Sequence, residues 1–412
     1  MQAKGNFTGL CASGFLAKAS YALARTPVLA LFAASFGVGP EAIGFAVAIS
    51  TVTGIFFKMP AGVISDIIGR RRTMICGLLF FALIPFSYLW VNTYESLLIV
   101  RFFHGFATAI YGPVIMAVVV DTAGDKRGEM LSWFSSVTII GNLIGAPLGG
   151  LLLTWMAKGG KSQLVHFHII YGVVAAMGMA ALITGIWASR GLSAPERGNK
   201  NQRSTVSAVL RHFGKSVRDI LTDRRIMVTS NMEGVQNLSV GAMEAFMPIY
   251  IVIVLGYTEF QAGLLWGVQI LMTVLAKPLM GRISDQHGRK PLLFWGMFVC
   301  AVPFTMIPWM QNYFALLFLA AVFGLGEAIV TSSAAAMVAD LCREDNIGSA
   351  MGVFGTLYDV GHASGPILAG LLIGMSSGRD FRLAFAIIAI IMVLAALLFN
   401  IGIKHPKSGI KN

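Results

Sequence analysis

Charge is scarce in this sequence. Only 12% of the 412 residues are Asp, Glu, Lys or Arg, and 56% are hydrophobic, whereas a soluble domain carries about 25% charged residues. This composition excludes an ordinary soluble globular protein and predicts a membrane protein. The first apolar stretch lacks the cleavage site of a removable signal peptide, so we expect it to be retained as a membrane span.

Cysteine is also rare, with four residues in the whole chain. Cys11, Cys76, Cys300 and Cys342 are widely separated, which is not the pattern of a disulfide framework or a zinc site. We therefore predict no metal site and no cofactor. The sequence also has no nucleophile elbow, zinc-ligand spacing or phosphate-cradling loop, so nothing in it indicates an enzyme.

Long apolar stretches make up most of the chain. Twelve of them reach the roughly 20 residues that a helix needs to cross ~30 Å of hydrocarbon. They lack the alternation of a lipid-facing β-strand, so we predict helices. Spans one to twelve cover about 10–36, 41–64, 73–91, 95–120, 130–156, 166–188, 228–255, 259–281, 291–310, 313–340, 347–374 and 381–402.

The net charge of +12 has a topological explanation. If both termini are cytoplasmic, 22 of the 31 Lys and Arg residues lie in inner loops and tails, and four lie in outer loops. This asymmetry follows the positive-inside rule. It predicts cytoplasmic termini in a bacterial inner membrane, and it accounts for the basic charge without a nucleic-acid partner.

A basic turn occurs twice, at an offset of 219 residues. Residues 62–72, GVISDIIGRRR, return as residues 281–290, GRISDQHGRK, and the same offset relates Asp121 to Asp340. Such internal repeats are typical of secondary transporters. We expect two six-helix halves, residues 1–188 and 228–412, joined by a cytoplasmic linker at 189–227 that contains an amphipathic helix.

Span five carries a stripe of small residues. Gly141, Gly145 and Gly149 recur at every fourth position around Pro147. They share one face of the helix, where a neighbouring helix can approach closely. We predict a helix-packing role for these four residues.

These motifs together resemble the major facilitator superfamily. The repeated turn is similar to its motif A, Arg101-x-x-x-Gly105 to motif B of proton-coupled members, and the span-five stripe to motif C of antiporters, with Ala146 in place of a glycine. The resemblance covers essentially the whole chain. It implies an all-α membrane protein with twelve transmembrane helices in two pseudo-symmetric six-helix bundles, similar to the drug:proton antiporter-1 branch.

The resemblance also implies a role for the repeated turn. Asp66 would accept hydrogen bonds from the start of span eleven, near residues 346–349, and Asp285 from the start of span five, near Gly128. A helix N-terminus favours an anion because of its dipole and its unpaired amides. We expect a conformational latch formed by Gly62, Asp66, Gly69, Arg70, Gly281, Asp285, Gly288 and Arg289.

Charges in the middle of a span are costly and therefore indicate function. Arg25 and Glu244 each lie twelve residues before an outer-end glycine, Gly37 and Gly256, and the 219-residue offset relates them. This depth is ~18 Å from the helix end. We predict an ion pair between them in at least one state, and protonation of Glu244 would free Arg25 for a solute.

The remaining candidates divide by chemistry. Proton-coupling candidates are Glu244, Asp359, Glu327 and Glu233, and substrate-cavity candidates are Lys18, Tyr21, Arg25, Arg101 and His362. Deep cations lie in the first half and the acids in the second, which argues against a dedicated pump for cationic drugs. Lys58 and Lys277 lie near inner helix ends, where a lysine can extend to water.

We therefore predict a proton-coupled secondary active transporter, an antiporter that exports a small anionic, zwitterionic or amphiphilic organic solute by alternating access. Proton-coupled uptake of an anionic metabolite by symport is an alternative on the same scaffold. A non-transporting membrane sensor is a second alternative. The expected partners are the solute, protons and the lipid bilayer, with the protein functional as a monomer.

Overall fold

The computed structural model describes residues 6–123, 126–190, 218, 220–342, 347–376 and 380–402. This part of the chain forms thirteen α-helices. They are α1 (Phe7–Arg25), α2 (Val28–Ser35), α3 (Pro40–Ile68), α4 (Arg70–Ser87), α5 (Tyr94–Ala123), α6 (Arg127–Ala157), α7 (Leu164–Ala188), α8 (Arg224–Ile249), α9 (Glu259–His287), α10 (Arg289–Met306), α11 (Tyr313–Leu341), α12 (Ile347–Met375) and α13 (Phe381–Gly402). Short 3₁₀ turns extend α4 and α10, and a π-helical turn, Tyr250–Val254, extends α8.

The helices confirm the predicted all-α membrane class. Ten helical segments among the described residues are long and apolar enough to cross a membrane. Two predicted spans complete the set of twelve: span eleven, which is α12, and span one, which is divided into α1 and α2. The division falls at Thr26 and Pro27, because proline has no N–H to continue the helical hydrogen bonds.

Glycine ends a helix within each copy of the repeated basic turn. Gly69 separates α3 from α4 with φ 107°, and Gly288 separates α9 from α10 with φ 90°. Only glycine adopts such positive φ values without strain. The 219-residue repeat therefore specifies the same backbone turn twice.

Large apolar side chains remain exposed along the helices. Phe56, Trp133, Trp155 and Phe314 are each more than 60% exposed. Soluble proteins rarely expose so much apolar surface. These side chains are suited to contact with lipid, which agrees with a multi-pass membrane protein.

The chain forms two compact units. The first unit contains Met1–Asn199, Ala242–Gly267 and Pro366–Arg379, and the second contains Lys200–Gly241, Val268–Gly365 and Asp380–Asn412. The division into halves 1–188 and 228–412 stays a prediction. Most of the 189–227 linker, including its amphipathic segment, lies outside the described residues.

In the first unit, α1 packs against α6 and α7, α3 packs against α5, and α4 packs against α5 and α7. The glycine stripe of α6 faces the backbone of α1. A Cβ atom at Gly141 would lie 2.8 Å from the carbonyl oxygen of Phe15, and one at Gly149 would lie 2.9 Å from that of Leu23. A larger residue at either position would push the two helices apart.

The first unit also contains two equivalent helix crossings, which we call the paired crossings. At one, a Cβ at Gly44 of α3 would overlap the carbonyl oxygen of Pro366 in α12. At the other, a Cβ at Gly263 of α9 would lie 2.7 Å from the carbonyl oxygen of Ala146 in α6. Gly44 and Gly263 are related by the 219-residue offset, and by the predicted topology both crossings lie on the outer side.

The second crossing is fixed by polar contacts at the start of α9. The buried carboxylate of Glu259 accepts hydrogen bonds from the hydroxyls of Ser162, at 2.7 Å, and Thr154, at 3.0 Å. The Thr154 oxygen in turn accepts the backbone N–H of Phe260 at 2.9 Å. These bonds tie the end of α6 and the following loop to the first turn of α9.

In the second unit, α10 packs against α11 and α13. Phe304 stacks on Phe385 with ring centroids 4.4 Å apart. Helices α8 and α12 cross closely at Gly234 and Gly361, where a Cβ at Gly234 would lie 2.9 Å from the carbonyl oxygen of Leu357.

Candidate functional site

The predicted ion pair between Arg25 and Glu244 is confirmed in the first unit. Arg25 Nε contacts Glu244 Oε1, and the two side chains are 20% and 4% exposed. Arg25 is the last residue of α1, a position where the helix dipole favours a cation. Two hydroxyls complete the site: Thr26 Oγ1 donates to Glu244 Oε1 at 3.1 Å, and Arg25 Nη2 donates to Thr51 Oγ1 at 3.3 Å.

The ion pair continues into a second polar group through Tyr21. The Arg25 guanidinium lies 5.7 Å from the centre of the Tyr21 ring, a cation–π distance. Tyr21 donates its hydroxyl to Ser50 Oγ at 3.3 Å, and Arg101 Nη2 donates to the same oxygen at 2.5 Å. The structure therefore brings together three of the five predicted substrate-cavity residues.

Arg101 is fully buried. No carboxylate among the described residues forms an ion pair with it, and its polar neighbours there include the hydroxyls of Ser50 and Tyr88. A buried cation without an acid leaves a positive charge in the wall of the first unit. Such a charge attracts anions and repels cations over several ångströms.

Sequence reasoning missed the aromatic groups that surround Arg101. Tyr88 Oη shares a hydrogen bond with His104 Nδ1 at 3.2 Å, and the Tyr21 ring lies edge-on to His104 at 5.3 Å. Tyr88 also stacks on Tyr171 at 3.8 Å. One sequence feature pointed to this group: Arg101 and His104 are three residues apart and therefore share one face of a helix.

A separate polar cluster lies in the second unit, and we call it the acid cluster. Its members are Glu233, Asn237, Gln269, Thr273, Lys277, Glu327 and Thr331. Asn237 Nδ2 donates to Glu233 Oε1 at 3.3 Å. Glu327 Oε2 accepts from the amide of Gln269 and from the hydroxyl of Thr273, the latter at 3.2 Å.

Lys277 provides the counter-charge of the acid cluster. Its ammonium group interacts electrostatically with the carboxylates of both Glu233 and Glu327. The expectation that Lys277 can extend to water stays a prediction. Gln269, Thr273 and Lys277 recur at every fourth residue of α9 and share one helix face, which was the signal that could have identified them.

Three other predicted site residues lie on α12 and α1. Asp359 and His362 are buried on α12 at 4% and 7% exposure, with the His362 ring 5.9 Å from that of Tyr358. Lys18 is partly buried on α1. Their roles stay predictions.

The repeated turn forms equivalent ion pairs in the two units. Arg70 Nη1 lies 2.9 Å from Asp121 Oδ2, and Arg289 pairs with Asp340, the residue equivalent to Asp121. Asp285 also lies 3.0 Å from Arg289. Each of these carboxylates is at least half exposed, so each pair contributes little stability alone, of the order of 0–1 kcal/mol.

The latch predicted for Asp66 remains a prediction. The side chain of Asp66 lies outside those that the structure describes, and so do residues 343–346 and the side chains of 347–349 at the start of α12. The backbone of the turn is described, with Gly62 inside α3 and Gly69 at its end. Its position between α3 and α4 is the one expected from the sequence.

Comparisons with known proteins agree with this architecture. The sequence profile of the Major Facilitator Superfamily matches residues 10–273 and, again, 234–412. An uncharacterised MFS-type transporter of Methanocaldococcus jannaschii is 24% identical over 388 residues, 93% of each chain. Multidrug resistance protein 1 of Bacillus subtilis is 22% identical over 351 residues, 85% of each chain. The crystal structure of a variant of the nucleoside transporter NupG has the same fold, with a TM-score of 0.80 and 14% identity over 97% of this chain and 100% of that chain.

Proposed function

Because this chain belongs to the Major Facilitator Superfamily, we propose that it is a proton-coupled secondary active transporter, an antiporter that exports a small anionic, zwitterionic or amphiphilic organic solute by alternating access. The main observation in support of proton coupling is the buried Arg25–Glu244 ion pair. Export by antiport is supported by the motif-C-like stripe of α6 and by the multidrug resistance protein among the relatives. The location that fits this function is a bacterial inner membrane, with both termini in the cytoplasm.

The ion pair can act as a switch because neither charge is stable alone in a low dielectric. Breaking a buried pair by removing one partner costs about 3–5 kcal/mol. When Glu244 takes up a proton, Arg25 loses its counter-charge and becomes a site for an anionic group. The planar guanidinium suits a carboxylate or phosphate, which it binds through two parallel hydrogen bonds.

This switch also favours a second candidate function. Protonation of Glu244 promotes binding of an anion at Arg25, so the proton and the solute occupy the site together. Joint occupancy is the thermodynamic basis of symport, which corresponds to proton-coupled uptake of an anionic metabolite. Antiport requires in addition a site at which the proton and the solute exclude each other.

The first test separates coupling from translocation. In proteoliposomes, Glu244→Gln is expected to lower pH-driven transport about tenfold or more, equivalent to ~1.4 kcal/mol, and to reduce solute–solute exchange much less. The reason is that glutamine keeps the shape but cannot change its charge. The solute is first identified by a counterflow screen of anionic, zwitterionic and amphiphilic compounds. The sign of the pH gradient that drives its uptake then distinguishes antiport from symport.

A matched substitution controls for general effects of losing a carboxylate. Glu95, at the start of α5, is exposed and lies outside both polar clusters, so Glu95→Gln should transport like the unchanged protein. Equal losses of exchange and pH-driven transport in Glu244→Gln would contradict the coupling role. Transport without any response to pH would contradict proton coupling itself.

The predicted topology has its own test. In a protein whose four cysteines are replaced, a single Lys200→Cys should react with a membrane-impermeant maleimide only after the cell membrane is permeabilised. Lys161→Cys, in the exposed α6–α7 loop, should react in intact cells and serves as the control. Reaction of position 200 in intact cells would contradict the positive-inside assignment.

A further inference from the structure

The exposed faces of α4 and α7 both end in arginine, on the same side of the membrane. The two helices pack against each other, and the start of α4 lies beside the end of α7. Exposed positions recur every three or four residues and so share one face of each helix. On α4 they are Arg72, Cys76, Leu79, Leu83 and Phe86, and on α7 and the residues after it they are Val173, Ala176, Ile183, Trp187 and Arg190.

A hydrogen bond joins the two arginine-bearing ends. Arg71 Nε donates to Ser189 Oγ at 3.4 Å. Ser189 is buried and directly precedes Arg190, while Arg71 directly precedes Arg72. Three guanidinium groups therefore belong to the place where α4 begins and α7 ends. We call Arg71, Arg72 and Arg190 the arginine junction.

The charge of the arginine junction is not balanced by acids. Within the part of the chain that the structure describes, no carboxylate forms an ion pair with any of its three residues. The preceding residue, Arg70, pairs with Asp121 instead. Arginine is not deprotonated in proteins, so the junction is positive at every pH. Like charges that are held in one region repel each other, and an anion between them lowers this repulsion.

The surface beside the arginine junction is apolar. Leu83 and Ile183 are 52% and 61% exposed, and both helices are long and apolar enough to cross a membrane. Trp187 is 53% exposed and lies three residues before Arg190, and tryptophan is enriched where hydrocarbon meets the headgroups. An apolar strip that ends in cations matches a molecule with hydrocarbon chains and an anionic head.

The second copy of the repeated turn does not reproduce this arrangement. Pro291 occupies the position equivalent to Arg72. Lys290, the equivalent of Arg71, donates its ammonium group to the carbonyl oxygen of Asn400 at 2.9 Å and is only 9% exposed. The arginine junction is therefore a feature of the first unit and does not follow from the repeated motif.

We propose that the arginine junction binds the headgroup of an anionic phospholipid, whose acyl chains lie along the exposed faces of α4 and α7. A guanidinium group binds a phosphate through two parallel hydrogen bonds, and basic groups between transmembrane helices suit anionic headgroups. By the predicted topology this lipid belongs to the cytoplasmic leaflet. The junction shares no residue with the Arg25–Glu244 pair or with the acid cluster, so lipid binding can be tested apart from transport.

Binding to the purified full-length protein in detergent tests the lipid site. The probes are phosphatidylglycerol and phosphatidylcholine with identical acyl chains, and glycerol 3-phosphate as a soluble phosphate. Dissociation constants come from the concentration dependence of the unfolding midpoint. We expect phosphatidylglycerol to bind about tenfold or more tightly than phosphatidylcholine. Glycerol 3-phosphate at the same concentrations should not stabilise the protein.

Three variants assign this preference to the arginines. Arg72→Gln/Arg190→Gln removes two charges but leaves the Arg71–Ser189 hydrogen bond, so it should lose the preference for phosphatidylglycerol. Arg72→Lys/Arg190→Lys should keep part of the preference, because the charges remain while the two-bond geometry is lost. The matched control is Arg225→Gln, at an exposed arginine beside Asp223 at the start of α8, and it should bind both lipids like the unchanged protein.

Four results would overturn the lipid site. Equal binding of the two lipids would show that the junction does not select an anionic head. An unchanged preference in Arg72→Gln/Arg190→Gln, or an equal loss of preference in Arg225→Gln, would show that the arginines of the junction are not responsible. Equal stabilisation by glycerol 3-phosphate would assign them to a soluble phosphate instead of a lipid.

Discussion

Replacement of Gly44 by alanine is expected to reduce transport about fivefold or more. The added Cβ would overlap the carbonyl oxygen of Pro366, and backbone atoms cannot move aside as a side chain can. Overpacking of this kind costs about 1–3 kcal/mol, so the α3–α12 crossing would form in only a small fraction of molecules. In the proposed alternating-access cycle we expect this crossing to form and separate once per turnover, so the cycle would stop at one stage.

The internal symmetry of the chain provides a second variant and a control. Gly263→Ala, at the equivalent α6–α9 crossing, should have a similar effect, because its Cβ would lie 2.7 Å from the Ala146 carbonyl oxygen. Gly112→Ala in α5 adds the same methyl group where no atom lies within 4 Å, so it should transport normally. The measurement is solute flux in proteoliposomes, with the unfolding midpoint as a check of folding. Equal flux in Gly44→Ala and Gly112→Ala would show that the paired crossings play no part in the cycle.

Reversal of the charges at Arg25 and Glu244 should produce the largest change in stability. Arg25→Glu places two carboxylates together, and Glu244→Arg places two guanidinium groups together, in a site where one partner is 4% exposed. Each single variant should lose about 3–5 kcal/mol of stability. The double variant should recover most of this loss, since the hydroxyls of Thr26 and Thr51 can donate or accept and so can serve either orientation.

Thermal unfolding in detergent measures this recovery through a double-mutant cycle. The double variant is not expected to regain transport, because the solute would meet the opposite charge at each position. If the double variant is no more stable than the single variants, then Arg25 and Glu244 are not energetic partners. The proton-coupling role of Glu244 would lose its basis in that case.

The 219-residue repeat made part of this architecture predictable. It relates Gly69 to Gly288, which form the same positive-φ turn, and it relates Arg25 to Glu244, which form the predicted ion pair. Pairing across related positions needs no knowledge of individual helix rotations. For this reason the repeated turn and the ion pair could be expected from the sequence, whereas the twelve spans followed from the length of the apolar stretches.

The acid cluster was predictable only in fragments. Glu233 and Glu327 stand out because they are charged residues inside apolar spans, whereas Gln269 and Thr273 are neutral and common in helices. Their hydrogen bonds depend on how α9 is rotated towards α11, and the sequence does not specify that rotation. The same limit applies to Tyr88 and His104, whose contact joins two helices. The break at Thr26 and Pro27 was overlooked because hydropathy continues without interruption across it.

The paired crossings also have a consequence for the turnover rate expected of the proposed transport cycle. At Gly44 and Gly263 the helices meet backbone to backbone, so no side-chain rotation, a motion of picoseconds to nanoseconds, can separate them. Separation requires whole helices to tilt, and the surrounding lipid must adjust to the new hydrophobic length. In the proposed cycle, bilayer thickness and lateral tension would therefore enter the barrier of the conformational step, whereas solute affinity would depend on the polar side chains. Turnover and affinity can consequently respond to different surroundings, the first to the lipid and the second to the solution.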